Sequence, residues 1–538
     1  MASKYYKDGY DCIIIGSALA GMASALRLSK YGLKNILILE RQSMPGGVSN
    51  SFVRNGIELE ASLHEISGIS SEMHPLAVRN FLKEFNVDVE WIKCPIAYKY
   101  VEPGFECTIH SGEGGDYEIT IQDIIKAVGD DEEHSLYQKL YTCFKDINDV
   151  FNSVWGFSSG RVFDITLYPS YLSLLRSFNY STDEVLDTYD FPPIVKRILL
   201  AYWCYLGNEP KNLPYVLYCC LIADYIGHGS YTCKKTSHEL SMKMLDACRK
   251  RGIQVEFNQE VEKIHVKDNH VIGVSLKDGS MIHSNYVVCG AYPQKVYNSM
   301  IEPKKETPKK AFKLLNSRDI SMSVFSVIIV LDKSSEELGL DSYMTFYAPI
   351  GLDFDKIIKS YHSQGDFQYY TSVCMNKLNE NCSPKGTCVY SITALPYPDS
   401  FKDVNEYNYD EVKHKIASQL IECESKRLGF QIKDHIKEIE FITPITIAHI
   451  SKSYQGCIYG FLPSMDDNIV LRVMNHQEEL LIKGLAFAGA HQVSGDGMGT
   501  QILNGNQGAE DIYRQFKEDM PKPLRDIIVA KKKPKKKN

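Results

Sequence analysis

The chain has 538 residues, 44% of them hydrophobic and 24% charged, with a formal net charge of −7. This apolar content supports a large core spread over two or three lobes, and the net negative charge argues against a general nucleic-acid binder. Residues 1–9 are polar and show no secretory-leader pattern, and the apolar runs 198–206 and 216–226 each reach about half a bilayer span, so no transmembrane helix is expected.

The first informative element is Cys12-Ile-Ile-Ile15, whose length and β-branched content fit a buried parallel strand. Gly16 ends it, and a helix is expected over residues 19–30. A second strand, Ile36-Leu-Ile-Leu39, stops at Glu40, 19 positions beyond Gly21. A strand, tight turn, helix, strand and terminal acid at this spacing form a dinucleotide-binding unit: the helix N-terminus faces a pyrophosphate and the acid holds a ribose. Gly16 permits the sharp turn and Gly21 the close packing of helix on sheet. The middle glycine of the G-x-G-x-x-G pattern is replaced by Ala18, whose methyl pushes the pyrophosphate outward or demands a small backbone shift. The expected nucleotide contacts here are Gly16, Ala18, Leu19, Ala20, Gly21, Glu40 and Arg41, followed by the pair Gly46-Gly47.

Further along, Gly112-Glu-Gly-Gly115 reads as a polar loop without a preceding strand, so no second dinucleotide unit and no NAD(P)H domain are expected. Helical patterns cover 171–178 and 195–206 around a Pro-rich corner at Phe191-Pro-Pro193. Another helix is expected over 237–251. Then come a strand at Val255-Glu-Phe257, a meander beginning at Val261 with turns at 268–270 and 277–280, and a return to a buried strand at 286–291. A strand-like run at 325–331 and a helix near 412–428 belong to a second lobe. Last, Gly484-Leu-Ala-Phe-Ala-Gly489 leads into a glycine-rich turn and a helix over 500–516. Two helix N-termini built in this way can converge on the two ends of one extended cofactor. A chain that makes a nucleotide unit, leaves it and returns builds a discontinuous domain. Residues 1–95, 226–300 and 476–520 are assigned to it, and 96–225 and 301–475 to a substrate-binding lobe.

Fifteen cysteines without a C-x-x-C pair fit buried thiols in a reducing, cytoplasmic compartment and give metal binding little support. The 34 tyrosines are compatible with an aromatic-lined apolar tunnel without demanding one. The lysine block 531–537 makes 521–538 a basic, self-repelling tail suited to anionic lipid, to nuclear import or to solubility alone.

Taken together, these pieces resemble FAD-dependent oxidoreductases of the phytoene desaturase group, which includes carotenoid isomerases and retinol saturases; flavin amine oxidases and Rab GDP-dissociation inhibitors are more distant. Four stretches carry the resemblance. The first is the N-terminal unit through Glu40-Arg41 and Gly46-Gly47. The second, Gly56-Ile-Glu-Leu-Glu-Ala-Ser-Leu-His64-Glu65, is similar to a segment that reaches the flavin ring through Gly-x-His, with Ser62 in place of the glycine. The third is the meander, where Val261 matches the position whose backbone contacts adenine, preceded by Gly227-His-Gly229-Ser230. The fourth is 484–510, similar to the C-terminal flavin signature, with Ser494 where proline is usual.

The resemblance implies an α/β fold with a Rossmann-like, discontinuous FAD-binding domain of the GR2 type and a mixed α+β substrate lobe. It implies FAD, with Gly489 and Asp496 near the pyrophosphate and ribityl chain, and Met498, Gly499 and Thr500 offering N–H groups at the pyrimidine end. The implied chemistry is hydride transfer between flavin and an apolar polyene or isoprenoid that is desaturated, saturated or isomerised. The electron partner is a quinone, oxygen or a separate reductase, and the protein meets membranes peripherally. His64, Glu65, His228 and His491 are the acid–base candidates, with His64 first and Glu65 second as catalytic residues. Two other readings stand beside this one. An amine oxidase-like activity wants an aromatic cage and a flavin-contacting lysine, which no motif here supplies. A prenyl-protein chaperone of the inhibitor type is opposed by the intact C-terminal glycine turn.

Overall fold

The computed structural model describes residues 6, 9–61, 64–131, 133–158 and 168–519. Ser62 and the lysine-rich tail lie outside the described residues. Five strands form a wholly parallel sheet in the order Leu485–Phe487, Val287–Cys289, Cys12–Ile15, Ile36–Leu39, Gln254–Glu256. All but the last are buried along their whole length, which is why they read as continuous apolar runs. Successive side chains of the first strand divide between two cores. Cys12 and Ile14 pack with the helices Leu19–Tyr31, Ser237–Lys250 and Met498–Asp519. Ile13 and Ile15 pack with the meander. The meander is a separate four-stranded sheet, in the order Met281–His283, His270–Leu276, Val261–Lys267, Ile301–Glu302.

The first and last helices touch backbone to backbone. A Cβ on Gly505 would stand 2.1 Å from the Ala20 carbonyl oxygen, and the Ser24 hydroxyl donates to the Gly505 carbonyl at 2.7 Å. Only glycine allows this approach, and it brings the two ends of the chain's α/β layer together.

The second sheet has seven strands, in the order Ile436–Ile442, Phe325–Leu331, Cys388–Ala394, Tyr370–Cys374, Met344–Tyr347, Ile96–Glu102, Phe105–His110. Its neighbours are antiparallel except for Met344–Tyr347 beside Ile96–Glu102, so the sheet is mixed. Helices Ser135–Ser158 and Tyr215–Ile222 pack into the same core. One expectation is corrected here. Gly112–Gly115 does follow a strand, Phe105–His110, and does precede a helix, Glu118–Val128. That strand is the antiparallel edge of its sheet, so the glycines make a connecting turn and not a βαβ phosphate loop. The helical pattern at 195–206 is also two elements, Pro193–Leu199 and the 3₁₀ turn Leu200–Leu206, stopped by Gly207 at φ 74°. No helix among the described residues is long and apolar enough to cross a membrane.

Candidate functional site

A cavity of about 1550 Å³ runs along the carboxyl ends of the parallel strands, past Ile15, Leu39, Gly290 and Ala488, and continues into the second lobe. This is where an open parallel sheet places its ligands. Gly16, Ala18, Leu19, Ala20, Gly21, Glu40, Arg41, Gly46, Gly47 and Val261 all line it, as do Gly489, Asp496, Met498, Thr500, His64 and Glu65. Gly499 is set back from the wall: a Cβ there would lie 2.6 Å from the Ser67 carbonyl oxygen, so this glycine lets the last helix seat against the chain that follows Glu65.

At the first turn, Gly16 has φ 98°, and a Cβ on Gly21 would stand 2.0 Å from the Gly16 carbonyl oxygen. The loop carrying Gly46 and Gly47 folds back on the turn, with Gly46 N–H donating to the Ser17 carbonyl at 3.1 Å. A Cβ on Gly47 would lie 3.3 Å from the Ala18 Cβ. The methyl that replaces the middle glycine is therefore accommodated by a glycine in the facing loop. The helix Leu19–Tyr31 starts at Ala18 with no side-chain cap and no acid in its first turn, although Leu19, Ala20 and Gly21 are buried. Its free N–H groups and positive end have no partner among the described residues, and a pyrophosphate fits both needs.

Next along the cavity, Glu40 is buried and fixed. One carboxylate oxygen accepts from the Ser17 N–H at 2.8 Å and the Ser17 hydroxyl at 3.0 Å, and the other from the Gln42 N–H at 2.8 Å. Three of about four acceptor positions are taken, so the remaining one is held in a defined direction for a ribose hydroxyl. The Arg41 guanidinium instead reaches across to the carbonyls of His449, at 2.9 Å, and Ile450, at the end of the helix Pro444–Ser451. Its side chain thereby ties the end of the strand Ile36–Leu39 to the second lobe.

On the far side, the helix Met498–Asp519 also starts without an acid in its first turn. Asn504 holds the preceding loop by donating to the carbonyls of Gly489 at 2.9 Å and Gly495 at 2.7 Å. Burial pushes the Asp496 carboxyl up to about 7. Burial, with Arg318 and Arg472 nearby, pulls His491 down to about 3, and neither of its ring nitrogens has a partner among the described residues.

The segment after the small hairpin 51–60 carries His64 and Glu65 to the junction of the two lobes. His64 Nε2 pairs with the Tyr205 hydroxyl at 2.9 Å and stands 3.3 Å from Met344 Sδ, while the Tyr343 hydroxyl donates to the His64 carbonyl at 2.9 Å. Burial pulls this histidine down to about 4. Glu65 accepts from the Ser230 hydroxyl at 2.5 Å on one oxygen. The other oxygen has no hydrogen-bond partner among the described residues and lies 3.8 Å from His64 Nε2. Burial raises this carboxyl to about 7. The pair is thus neutral His beside neutral Glu in the acid range, the opposite of an ion pair. Beyond them the cavity is walled by Phe151, Val154, Trp155, Leu174, Leu217 and Leu221, from three helices of the second lobe.

Sequence reasoning missed Ser17, which fixes Glu40, and the wall residues Tyr205, Tyr225 and Asp224. One signal was available for the last: Asp224 is the single charged residue in the run 216–226.

The profile of the flavin containing amine oxidoreductase family matches residues 19–370. All-trans-retinol 13,14-reductase of Danio rerio is 23% identical over 534 residues, covering 91% of this chain and 85% of its own. The 1-hydroxycarotenoid 3,4-desaturase of Flavobacterium sp. (strain P99-3) is 22% identical over 454 residues, 83% of this chain and 88% of its own. Among solved structures, an oxidoreductase from Methanosarcina mazei superposes with a TM-score of 0.60 at 13% identity, over 93% of this chain and 99% of that one. Cyclohexylamine oxidase from Brevibacterium oxydans IH-35A superposes with a TM-score of 0.57 at 14% identity, over 94% and 99%. The parallel Rossmann-like sheet with a mixed second sheet is accordingly the fold of flavin amine oxidase structures. With the glycine turn, the fixed Glu40 and the profile match on the same chain, this protein belongs to the flavin containing amine oxidoreductase family and is a flavin-containing oxidoreductase.

Proposed function

We propose that this chain is an FAD-dependent oxidoreductase that moves a hydride between the flavin and an apolar polyene or isoprenoid, desaturating, saturating or isomerising it. The observation that carries the reading is the continuity of one cavity from the phosphate cradle, past His64 and Glu65, to the apolar walls of the second lobe. FAD is favoured because the cavity extends beyond the cradle to Glu40 and Val261, which leaves a place for an adenosine. The two relatives cited above are named for a retinol and a carotenoid. In this reading residues 1–95, 226–300 and 476–520 hold the cofactor, 96–225 and 301–475 hold the substrate, and the protein works in the cytoplasm.

The bound flavin supplies the hydride chemistry. The chain's own part is to bind, to exclude water and to place protons. The two helix N-termini, neither with an acid in its first turn, hold negative charge at both ends of the cofactor. Burial favours a proton on the Glu65 carboxyl and keeps His64 neutral, so Glu65 can hold a proton beside an apolar ligand, and giving it up leaves a carboxylate 3.8 Å from His64 Nε2. The direct test is anaerobic photoreduction of the purified yellow protein followed by a screen of polyenes, retinoids and amines. Turnover with a polyene is expected. Turnover with amines alone replaces this reading by the amine oxidase one. A colourless protein that FAD cannot reconstitute favours the chaperone reading.

Delivery of such a substrate calls for contact with lipid. The helix Tyr168–Ser177 lines the cavity with Leu174 and Leu175, and just after it Phe178 does the same. Its Leu175 is also 65% exposed and Leu172 41%. An apolar lip at the cavity mouth suits peripheral docking to a bilayer. The variant Leu175→Glu is expected to reduce co-sedimentation with phospholipid vesicles by about tenfold, with no change in flavin absorbance.

A further inference from the structure

The strands Tyr370–Cys374 and Cys388–Ala394 are antiparallel neighbours in the seven-stranded sheet, joined by the loop 375–387. Cys374 stands opposite Tyr390. Cys388 lies two residues before Tyr390, so both cysteines project from one face of the sheet. Both are fully buried, and their thiols share a hydrogen bond. A third cysteine, the half-buried Cys382, sits in the loop itself. Asn376 draws the three together. Its side-chain oxygen accepts from the Val389 N–H at 2.8 Å, next to Cys388, and from the Cys382 thiol at 3.2 Å. Its amide nitrogen donates to the Ser383 hydroxyl at 2.9 Å.

A buried cysteine is ordinarily a small apolar filler, protonated and inert. Cys374 differs. The hydrogen bond from Cys388 holds its thiol below the ordinary range despite burial, helped by the backbone N–H groups of Lys377 and Asn376 and by the Lys377 charge. Cys388 is pushed up by the same contact and is the proton donor of the pair. A sulfur with thiolate character beside a second thiol is the arrangement in which oxidation proceeds to a disulfide. The two sulfurs already meet, so no molecule has to enter between them. Only the oxidant must reach Cys374. The groups against that sulfur belong to the loop 375–387, whose residues 375–386 are all half-buried or exposed.

We propose that Cys374 and Cys388 form a reversible disulfide when the protein meets a peroxide. The Cys374 sulfur takes one oxygen from hydrogen peroxide, which gives a sulfenic acid and one water. The Cys388 sulfur attacks that sulfenic acid; its S–O bond breaks, the S–S bond forms and a second water leaves. In sum, two thiols lose two electrons and two protons, and one peroxide is reduced to two waters. A small dithiol in excess reopens the bridge by exchange. The closed bridge ties off the loop at its base. It also lies behind the wall that carries His64: the Cys374 N–H donates to the Tyr343 carbonyl at 2.8 Å, and the Tyr343 hydroxyl holds the His64 carbonyl. The inference does not depend on the polyene reading.

The reduced full chain is treated with hydrogen peroxide, alkylated, and digested without reductant for peptide mass mapping. Trypsin cuts between the two cysteines at Lys377 and Lys385. Two of the fifteen thiols are expected to escape alkylation, with the peptides that hold Cys374 and Cys388 recovered as one linked species, and dithiothreitol is expected to restore both thiols. Cys374 is expected to lose its thiol about tenfold or more faster than the exposed Cys423, whose thiol burial pushes up. Cys382→Ser is expected to form the same bridge. Full alkylation of Cys374 and Cys388 after peroxide overturns the proposal. So does a link that runs through Cys382, one that appears only after unfolding in urea, or oxidation of Cys423 ahead of Cys374. Mapping of the unmutated protein decides the matter even if Cys382→Ser does not fold.

Discussion

Replacing Gly21 by valine is expected to give a protein that is destabilised and carries no flavin. A Cβ at this position would lie 2.0 Å from the Gly16 carbonyl oxygen, 3.1 Å from its carbonyl carbon and 3.3 Å from Ile14 Cγ2. The first two are backbone atoms of the turn itself, so no side chain can move aside. Relief requires the helix Leu19–Tyr31 to lift from the sheet, which pulls its N–H groups away from the phosphate position and breaks the glycine contact with the last helix. Gly16→Ala makes a useful contrast. Gly16 has open space around a Cβ but sits at φ 98°, so alanine there is strained by about 1–2 kcal/mol and is expected to weaken flavin retention without abolishing it. Absorbance of the purified proteins in the flavin bands, together with thermal unfolding, separates the two outcomes. A Gly21→Val protein as yellow and as stable as the parent would mean that this turn is not the phosphate cradle.

The variant Glu65→Gln is expected to stay yellow, to lose turnover by about 100-fold, and to show a pH-dependent change in stability. The folded-state carboxyl titrates near 7 because it is buried, against 4.5 for the ordinary group. Its neutral form therefore contributes stability that is complete below about pH 4.5 and is lost as the pH climbs toward about 7. Glutamine keeps an acceptor for the Ser230 hydroxyl and removes the titration. The stability of the variant relative to the parent is thus expected to rise by about 2 kcal/mol between about pH 5 and about pH 8. Denaturant unfolding at the two pH values measures it. A difference that stays constant over this range would show that the carboxyl is already ionised in the folded protein at the lower pH, and would remove it as a proton carrier. Glu65→Gln with full turnover would remove it from the chemistry altogether.

The parallel layer was legible in the sequence because its strands are buried on both faces. Cys12–Ile15 and Ile36–Leu39 fall at the positions that their unbroken apolar runs indicate. The seven-stranded sheet was mostly illegible. Its strand Ile96–Glu102 contains Lys99 and Glu102, both buried, which spoil the apolar signal. Lys99 pairs with Asp341 at 2.6 Å and, across the hairpin, with Glu106 at 2.9 Å, while Glu102 pairs with Arg197 at 2.8 Å, so two of the three partners lie far away in sequence. Charges paired at such separations cannot be recognised from a local window. The same holds for Ala18. Read alone it is a defect in the glycine motif, and only the fold shows Gly47 standing opposite to make room. Asp224 was hidden in a different way, since a π turn inside an apolar run leaves no mark in the period of the sequence.

The order of strands in the parallel sheet bears on how the protein is made. Two of its pairings join residues 13–15 to 287–289, and those to the edge strand 485–487, and the first and last helices meet through a bond spanning 481 positions, Ser24 to Gly505. During synthesis the N-terminal half of the cradle therefore waits, incomplete, for almost the entire chain to emerge. Contacts of such long range form late and slowly. Until they do, the bare edge of the first strands is open to wrong partners, which makes chaperone protection during synthesis the natural limit on yield.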